Sequence, residues 1–120
     1  MSEHETTATG RPVPVIVVLP AEIDIHNSLD IRAQLAKASE QDGCRAIIAD
    51  LSRTTFCDTS GAVSLVLARM DAADQDVRLL AVVPSLEVRR VLTLAGLDSV
   101  LAVYASLSEA LAVAYFDGSA

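Results

Sequence analysis

Short apolar runs that alternate with helical patterns are the feature that most constrains the fold of this chain. Residues 45–51 form a nearly continuous apolar run between a helical pattern and a loop, which is typical of a buried strand in a parallel sheet. Residues 13–19, 77–83 and 100–104 also read as strands. Because helical crossovers connect parallel strands, this order predicts an α/β domain with a mixed, mostly parallel sheet of four or five strands and about four helices.

The first half of the chain predicts two strands and two helices around these runs. Pro20 interrupts the first strand, and residues 23–25 resume an extended pattern. Asn27 or Ser28 is expected to cap a helix over about residues 28–40, with Ile31, Leu35 and Ala38 along its inner face. A second helix is predicted from Gly61 to about Ala73, because apolar residues recur there at helical spacing and form the expected inner stripe: Val63, Val66, Leu67 and Met70.

Two further helices carry clear start and stop signals. Ser85 is expected to cap the third, and Gly96 fits a left-handed C-terminal position with Leu97 as its hydrophobic contact. The pattern Ser106-x-x-Glu109 is a capping box for the last helix. The expected inner residues are Val88, Val91, Leu92 and Ala95 in the third helix, and Leu107, Ala110, Leu111 and Ala114 in the fourth.

The length of 120 residues fits one domain. We expect a flexible tail over residues 1–11, a folded domain over 12–116 and a frayed end over 117–120. No apolar run approaches the ~20 residues needed to cross a bilayer, and the N-terminus lacks the pattern of a signal peptide. The sequence therefore favours a cytoplasmic protein with no membrane insertion.

Charge and cysteine usage exclude several classes of function. The net charge of −7 and the absence of Trp argue against direct nucleic-acid binding, which needs clustered basic residues and stacking platforms. Cys44 and Cys57 have no metal-binding or redox spacing and are expected to be free thiols. A redox role of Cys57 is left open, although a small packed side chain is the commoner role.

Residues 56–63, Phe-Cys-Asp-Thr-Ser-Gly-Ala-Val, place hydroxyls at a predicted helix start. Ser60 or Thr59 would occupy an N-cap environment, where free N–H groups and the helix dipole favour an anionic oxygen. A phosphate on Ser60 beside Asp58 would make the local field strongly negative. A plain helix cap is the alternative interpretation of the same residues.

No enzymatic constellation accompanies this turn. The five glycines form no phosphate-binding loop, and Ser60 does not stand in a Gly-x-Ser-x-Gly elbow. His4 and His26 are expected to be solvated, so neither a catalytic base nor a metal site is predicted. Paired carboxylates remain a weak alternative, carried by Asp24, Asp50 and Asp58.

The arrangement resembles the STAS domain family, in particular bacterial anti-sigma factor antagonists of the SpoIIAA type, over roughly residues 13–114. Three places carry the resemblance: Leu19-Pro-Ala-Glu-Ile-Asp24 resembles the family's Gly-x-Leu-Asp strand end, Phe56-Cys-Asp-Thr-Ser-Gly61 its Asp-Ser-Ser-Gly phosphorylation turn, and residues 83–97 its third helix and exit. Ala21 stands where the family's glycine is usual, and Thr59 replaces the first serine of the turn.

The resemblance implies a non-enzymatic module with no cofactor. Ser60 would be the phosphoacceptor, with Thr59 as a competing one, and the partner-binding residues would be Asp24, Asp58, Thr59, Ser60 and Gly61. An anti-sigma factor that is itself a serine kinase would phosphorylate Ser60, and a serine phosphatase would reverse the step. Unphosphorylated protein would hold the anti-sigma factor and free a sigma factor. The alternative is a constitutive STAS scaffold subunit of a transport-ATPase or stress-signalling complex. Whether His26 and Asn27 join the binding surface stays open.

Overall fold

The computed structural model describes residues 13–116, and the predictions for residues 1–11 and 117–120, and for His4, lie outside that range. Strands and helices alternate along most of the chain, as the sequence pattern predicts. The elements, in chain order, are β1 (Val15–Val18), β2 (Glu22–Ile23), α1 (Ser28–Ser39), β3 (Ala46–Asp50), β4 (Phe56–Cys57), α2 (Thr59–Ala73), β5 (Arg78–Val82), α3 (Leu86–Leu94), β6 (Ala102–Tyr104) and α4 (Leu107–Phe116).

Four strands form the main sheet in the order β1-β3-β5-β6, and every pairing among them is parallel. The central strand β3 is buried along all five residues, as the continuous apolar run predicts for a strand covered on both faces. The strands β2 and β4 form a separate parallel pair. The predicted α/β fold class is therefore confirmed, with the sheet divided into these two parts.

Alternate residues of the main sheet point into two apolar layers. Ile47 and Ala49 belong to the larger layer, which also contains the buried residues of α1, α2 and α3. Ile48 and Leu80 belong to the smaller layer, which α4 covers through its expected inner residues: Leu107, Ala110, Leu111 and Ala114. Three helices, α1, α2 and α3, therefore cover one face of the main sheet, and α4 covers the other.

The predicted inner stripe of α2 is wrong for its bulkiest residues. Val63 is 40% and Met70 57% exposed. Leu67 lines a surface groove together with Val63, and of these four residues only Val66 packs partly against the core. The buried face consists instead of mostly small residues: Gly61, Ala62, Ser64, Leu65, Ala68 and Ala72. Small side chains allow a helix to lie close to the sheet, and the bulkier stripe is left facing outward.

The third and fourth helices begin and end close to their predicted signals. The Ser85 hydroxyl accepts a hydrogen bond from the Val88 N–H, and Gly96 has the left-handed φ of +74°. The Leu97 N–H donates to the Leu92 carbonyl at 2.8 Å, which is the Schellman arrangement. Ala95 is exposed rather than inward-facing, because it is the C-cap residue of α3.

The fourth helix uses half of the predicted capping box. The Ser106 hydroxyl accepts the Glu109 N–H at 3.2 Å, while the Glu109 carboxylate reaches the Ser106 hydroxyl instead of the backbone.

Within residues 13–116, no helix has the length and apolar character that a membrane span requires.

Candidate functional site

The strand pair β2–β4 brings the two predicted carboxylates to one edge. Ile23 is in register with Cys57, so Asp24 and Asp58 are the next residues at the same end of parallel strands. The Asp58 N–H continues the pairing by donating to the Ile23 carbonyl at 3.1 Å. The structure thus places Asp24 and Asp58 at the same end of the strand pair, beside the start of α2.

Asp58 caps α2, which corrects the prediction that Ser60 or Thr59 would do so. Asp58 has an extended backbone, and its Oδ1 accepts the Gly61 N–H at 2.9 Å. Thr59 and Ser60 therefore occupy the first two helical positions. Asp is a strong N-cap because its carboxylate satisfies an N–H that has no partner within the helix.

Both hydroxyls of this first turn are available for chemistry. Thr59 is exposed and Ser60 is half-buried. Within the described part of the chain, neither hydroxyl makes a hydrogen bond to another residue. Modification of Ser60 or Thr59 would therefore break no existing side-chain interaction.

Gly61 fixes the approach of α2 to the strand pair. A Cβ at this position would lie 2.5 Å from the Ile23 Cγ2 and 3.0 Å from the Cys57 Sγ. Both neighbours are buried, so neither can move aside freely. The glycine therefore allows the first turn of α2, with Ser60, to rest directly on the strands that carry Asp24 and Asp58.

Asn27 organises the loop that follows Asp24, instead of capping α1 with its side chain as predicted. The Asn27 Oδ1 accepts the Asp24 N–H at 2.9 Å, and its Nδ2 donates to the Glu22 carbonyl at 2.8 Å. The Asp24 carboxylate accepts the His26 N–H and lies 3.4 Å from the His26 Nδ1. These bonds hold Asp24 at the site, while the His26 side chain remains 88% exposed.

A groove of about 490 Å³ between α1 and α2 opens beside Ser60. Its surroundings are apolar at the surface, with Ile25 67% and Leu29 77% exposed. Helical periodicity alone gives no sign of this groove, because it predicts that Val63 and Leu67, on the α2 side of the groove, face the core. The lining residues are Ile25, Ser28, Leu29, Arg32, Thr59, Ser60, Val63, Ser64 and Leu67.

An ion pair joins the two helices that border the groove. The Arg32 Nε donates to the Asp71 Oδ2 at 2.7 Å, and the Arg32 Nη2 donates to the Asp71 Oδ1 at 2.9 Å. The hydrogen bond from Arg32 lowers the pKa of the Asp71 carboxyl. No local sequence pattern signals this pair, because the two residues are 39 positions apart.

The remaining candidate groups take structural roles. The Asp50 carboxylate, at the end of β3, accepts both the N–H and the hydroxyl of Ser52. Cys44 and Cys57 are free thiols, as predicted. Burial, followed by the charge of Asp58, raises the pKa of Cys57 to about 11. Among residues 13–116, no group of three or more His, Cys, Asp or Glu side chains could hold a metal ion.

Comparison with known proteins identifies relatives of this architecture. The STAS domain family matches residues 5–110. The anti-sigma factor antagonist SpoIIAA in its unphosphorylated form shares 25% identity over 93% of this chain and 96% of its own, with a TM-score of 0.69. An anti-sigma factor antagonist from Mycobacterium paratuberculosis shares 24% over 82% of each chain, with a TM-score of 0.67. A sulfate transporter family protein from Wolinella succinogenes shares 18% over 91% and 93%, with a TM-score of 0.68.

Proposed function

Because this chain belongs to the STAS domain family, we propose that it is an anti-sigma factor antagonist whose binding to an anti-sigma factor is switched by phosphorylation of Ser60. The unphosphorylated protein holds the anti-sigma factor and thereby frees a sigma factor. The chain is substrate and ligand in this cycle, not an enzyme, and needs no cofactor. The cycle operates in the cytoplasm.

One observation carries the proposal: the Ser60 hydroxyl is half-exposed, makes no hydrogen bond to a described residue, and stands in the first turn of α2 between the Asp58 cap and the groove. A kinase can reach such a hydroxyl without unfolding the helix. The N-terminus of α2 also favours a negative group at this position.

The switch follows from the charge that phosphorylation adds. A phosphate brings close to two negative charges to an edge that already carries Asp24 and Asp58. A partner docked on this edge would meet repulsion and crowding. A loss of about 3 kcal/mol is enough to weaken binding on the order of a hundredfold.

The surface around Ser60 suits a protein partner. Ile25, Leu29 and Val63 are large apolar residues that line the groove beside Ser60 and stand exposed. Exposed apolar groups bordered by charges are typical of protein-binding surfaces. We assign the binding surface to this patch together with the predicted contact residues Asp24, Asp58, Thr59, Ser60 and Gly61.

The partners of the cycle are an anti-sigma factor with serine kinase activity and a serine phosphatase. The test uses wild-type, Ser60→Ala and Ser60→Asp proteins as baits in a native cell extract, with mass spectrometry of the retained proteins. We expect wild type and Ser60→Ala to retain an anti-sigma kinase and Ser60→Asp to lose it. Ser99→Asp, in the exposed loop after α3, is the matched control for added charge. Equal retention by all baits would refute the switch.

Thr59 is the competing phosphoacceptor, because its side chain is also exposed. Purified kinase and ATP should add one phosphate to wild type and to Thr59→Ala, and none to Ser60→Ala. Peptide mapping then locates the phosphate. Phosphate on the Ser60→Ala protein would assign the acceptor to Thr59.

A constitutive scaffold is the second candidate, supported by the structural likeness to a sulfate transporter family protein. In that case α2 and its exposed apolar stripe would bind regardless of the charge at Ser60. A transport ATPase or stress-signalling protein retained equally by wild type, Ser60→Ala and Ser60→Asp would favour this function.

A further inference from the structure

Arg32 is the one charged residue among the described residues that line the groove beside Ser60. The other lining residues are apolar or carry hydroxyls. Asp24 and Asp58 follow the last residues of the strand pair, and Asp58 caps α2 two positions before Ser60. A phosphate on Ser60 would therefore stand near carboxylates, and Arg32 is the guanidinium of the groove that could offset its charge.

We propose that Arg32 pairs with the phosphate when Ser60 is phosphorylated and leaves Asp71 in order to do so. This inference rests on the proposed modification of Ser60. It assigns to Arg32 a role in positioning the phosphate. It also adds a response within the protein itself to phosphorylation. The binding of a partner requires neither.

The chemistry of the two anions favours the exchange. A phosphate monoester carries close to two charges and three acceptor oxygens, whereas Asp71 offers one charge. The planar guanidinium fork binds phosphate and carboxylate with the same bidentate geometry. Because the Arg32 side chain is 38% exposed, it can change its torsion angles without leaving a packed core.

The geometry of α2 makes the two pairings exclusive. Ser60 and Asp71 are eleven positions apart on the same helix, which corresponds to about 16 Å along its axis. Arg32 now uses Nε and Nη2 to hold both Asp71 oxygens. One guanidinium cannot keep that bidentate contact and also reach a phosphate near the start of the helix.

The exchange would carry the signal along the groove. In the unphosphorylated protein Arg32 ties α1 to the far part of α2 through Asp71. In the phosphorylated protein the tie moves to the start of α2 and leaves the Asp71 carboxylate unpaired. A partner lying along the groove would thus meet a changed charge at both ends.

The test installs phosphoserine at position 60 by genetic encoding, so no kinase is needed. A ³¹P NMR titration then measures the second pKa of the phosphate, ordinarily about 6. We expect Arg32→Gln to raise this pKa by about 0.5 to 1, because a nearby cation favours the dianion. Arg69→Gln is the matched control, since Arg69 lies on α2 but lines a different cavity, and it should leave the pKa unchanged.

The carboxyl of Asp71 gives a second readout. Its ¹³Cγ chemical shift, read at about pH 8 where the phosphate is a dianion, should differ between the unmodified and the phosphorylated protein, because Arg32 leaves it. Identical phosphate pKa values in the wild-type background and in Arg32→Gln, or an Asp71 ¹³Cγ shift that phosphorylation leaves unchanged, would overturn the inference. If the pairing is observed but no kinase modifies Ser60, the proposed function fails while the pairing stands.

Discussion

Ser60 and Gly61 are adjacent but stand under opposite constraints. The Ser60 hydroxyl has no hydrogen-bond partner within residues 13–116 and borders a groove, so its replacement disturbs little. Gly61 is buried against Ile23 and Cys57, where a single added carbon has no room. Ser60 is therefore open to modification, and Gly61 fixes the position of the helical turn that carries it.

Replacing Gly61 by Ala should destabilise the protein. Alanine would improve helix propensity by up to about 1 kcal/mol, but overpacking against the Ile23 Cγ2 at 2.5 Å costs about 1–3 kcal/mol. We expect a net loss of up to about 2 kcal/mol after the full gain in helix propensity is subtracted, measured by urea unfolding. A higher unfolding midpoint for Gly61→Ala would contradict the packing argument.

The control for this substitution removes the clashing methyl group. Leucine has no Cγ2, so the cost of Gly61→Ala should shrink in an Ile23→Leu background. The difference between the two backgrounds is the coupling energy of a double-mutant cycle. An unchanged cost would assign the destabilisation to something other than the contact with Ile23.

Among the helices, α2 shows where sequence periodicity stops being informative. It is apolar on more than one face, so the spacing of Val63 and Met70 and the spacing of Leu65 and Ala72 both fit a helical stripe. The bulkier stripe was predicted to face the core, yet the smaller one does. How closely a helix approaches a sheet is a tertiary property, and the helix sequence alone does not specify it.

Local signals, by contrast, predicted most element ends. The Ser85 cap and the Gly96–Leu97 C-cap are confirmed, because their partners lie within five residues along the chain. The bond between Arg32 and Asp71 and the groove beside Ser60 depend on contacts between α1 and α2. The sequence indicated that Ser60 lies at the start of a helix, which the structure shows, but no sequence signal pointed to Arg32 in the same groove.

The two faces of α2 should respond differently to truncation. Met70 is 57% exposed, so Met70→Ala should change the free energy of unfolding by no more than about 0.5 kcal/mol. Leu65 is fully buried, and Leu65→Ala should cost about 2–5 kcal/mol. Urea unfolding of both variants measures the contrast, and similar losses would mean that the outward stripe packs against the domain after all.

At the scale of the whole molecule, the site stands apart from the centre of the sheet. The strand β3 is buried along its length and pairs on both sides. The pair β2–β4 has two residues in each strand, yet it carries Asp24, Asp58 and the start of α2. A charge added at Ser60 would therefore act on the strand pair β2–β4 and the first turn of α2, and not on the main sheet.

This division predicts a gradient of amide hydrogen exchange. Amides of β3 should exchange only through global unfolding, whereas amides of β2, β4 and the first turn of α2 should open locally and exchange faster. Exchange measured by NMR under native conditions tests the order. Equal protection of Ile23 and Ile48 would show that the site and the sheet unfold as one unit.

The small buried face of α2 also has an evolutionary consequence. Substitutions at Ala62, Ala68 or Ala72 enlarge a helix that already lies against the sheet, so selection for folding would hold those positions small. Val63 and Met70 face outward and can change without that penalty. After duplication of this domain, the outward residues of each copy could therefore change independently. Each copy could then bind its own partner and not the partners of the other copies, while the fold stays the same.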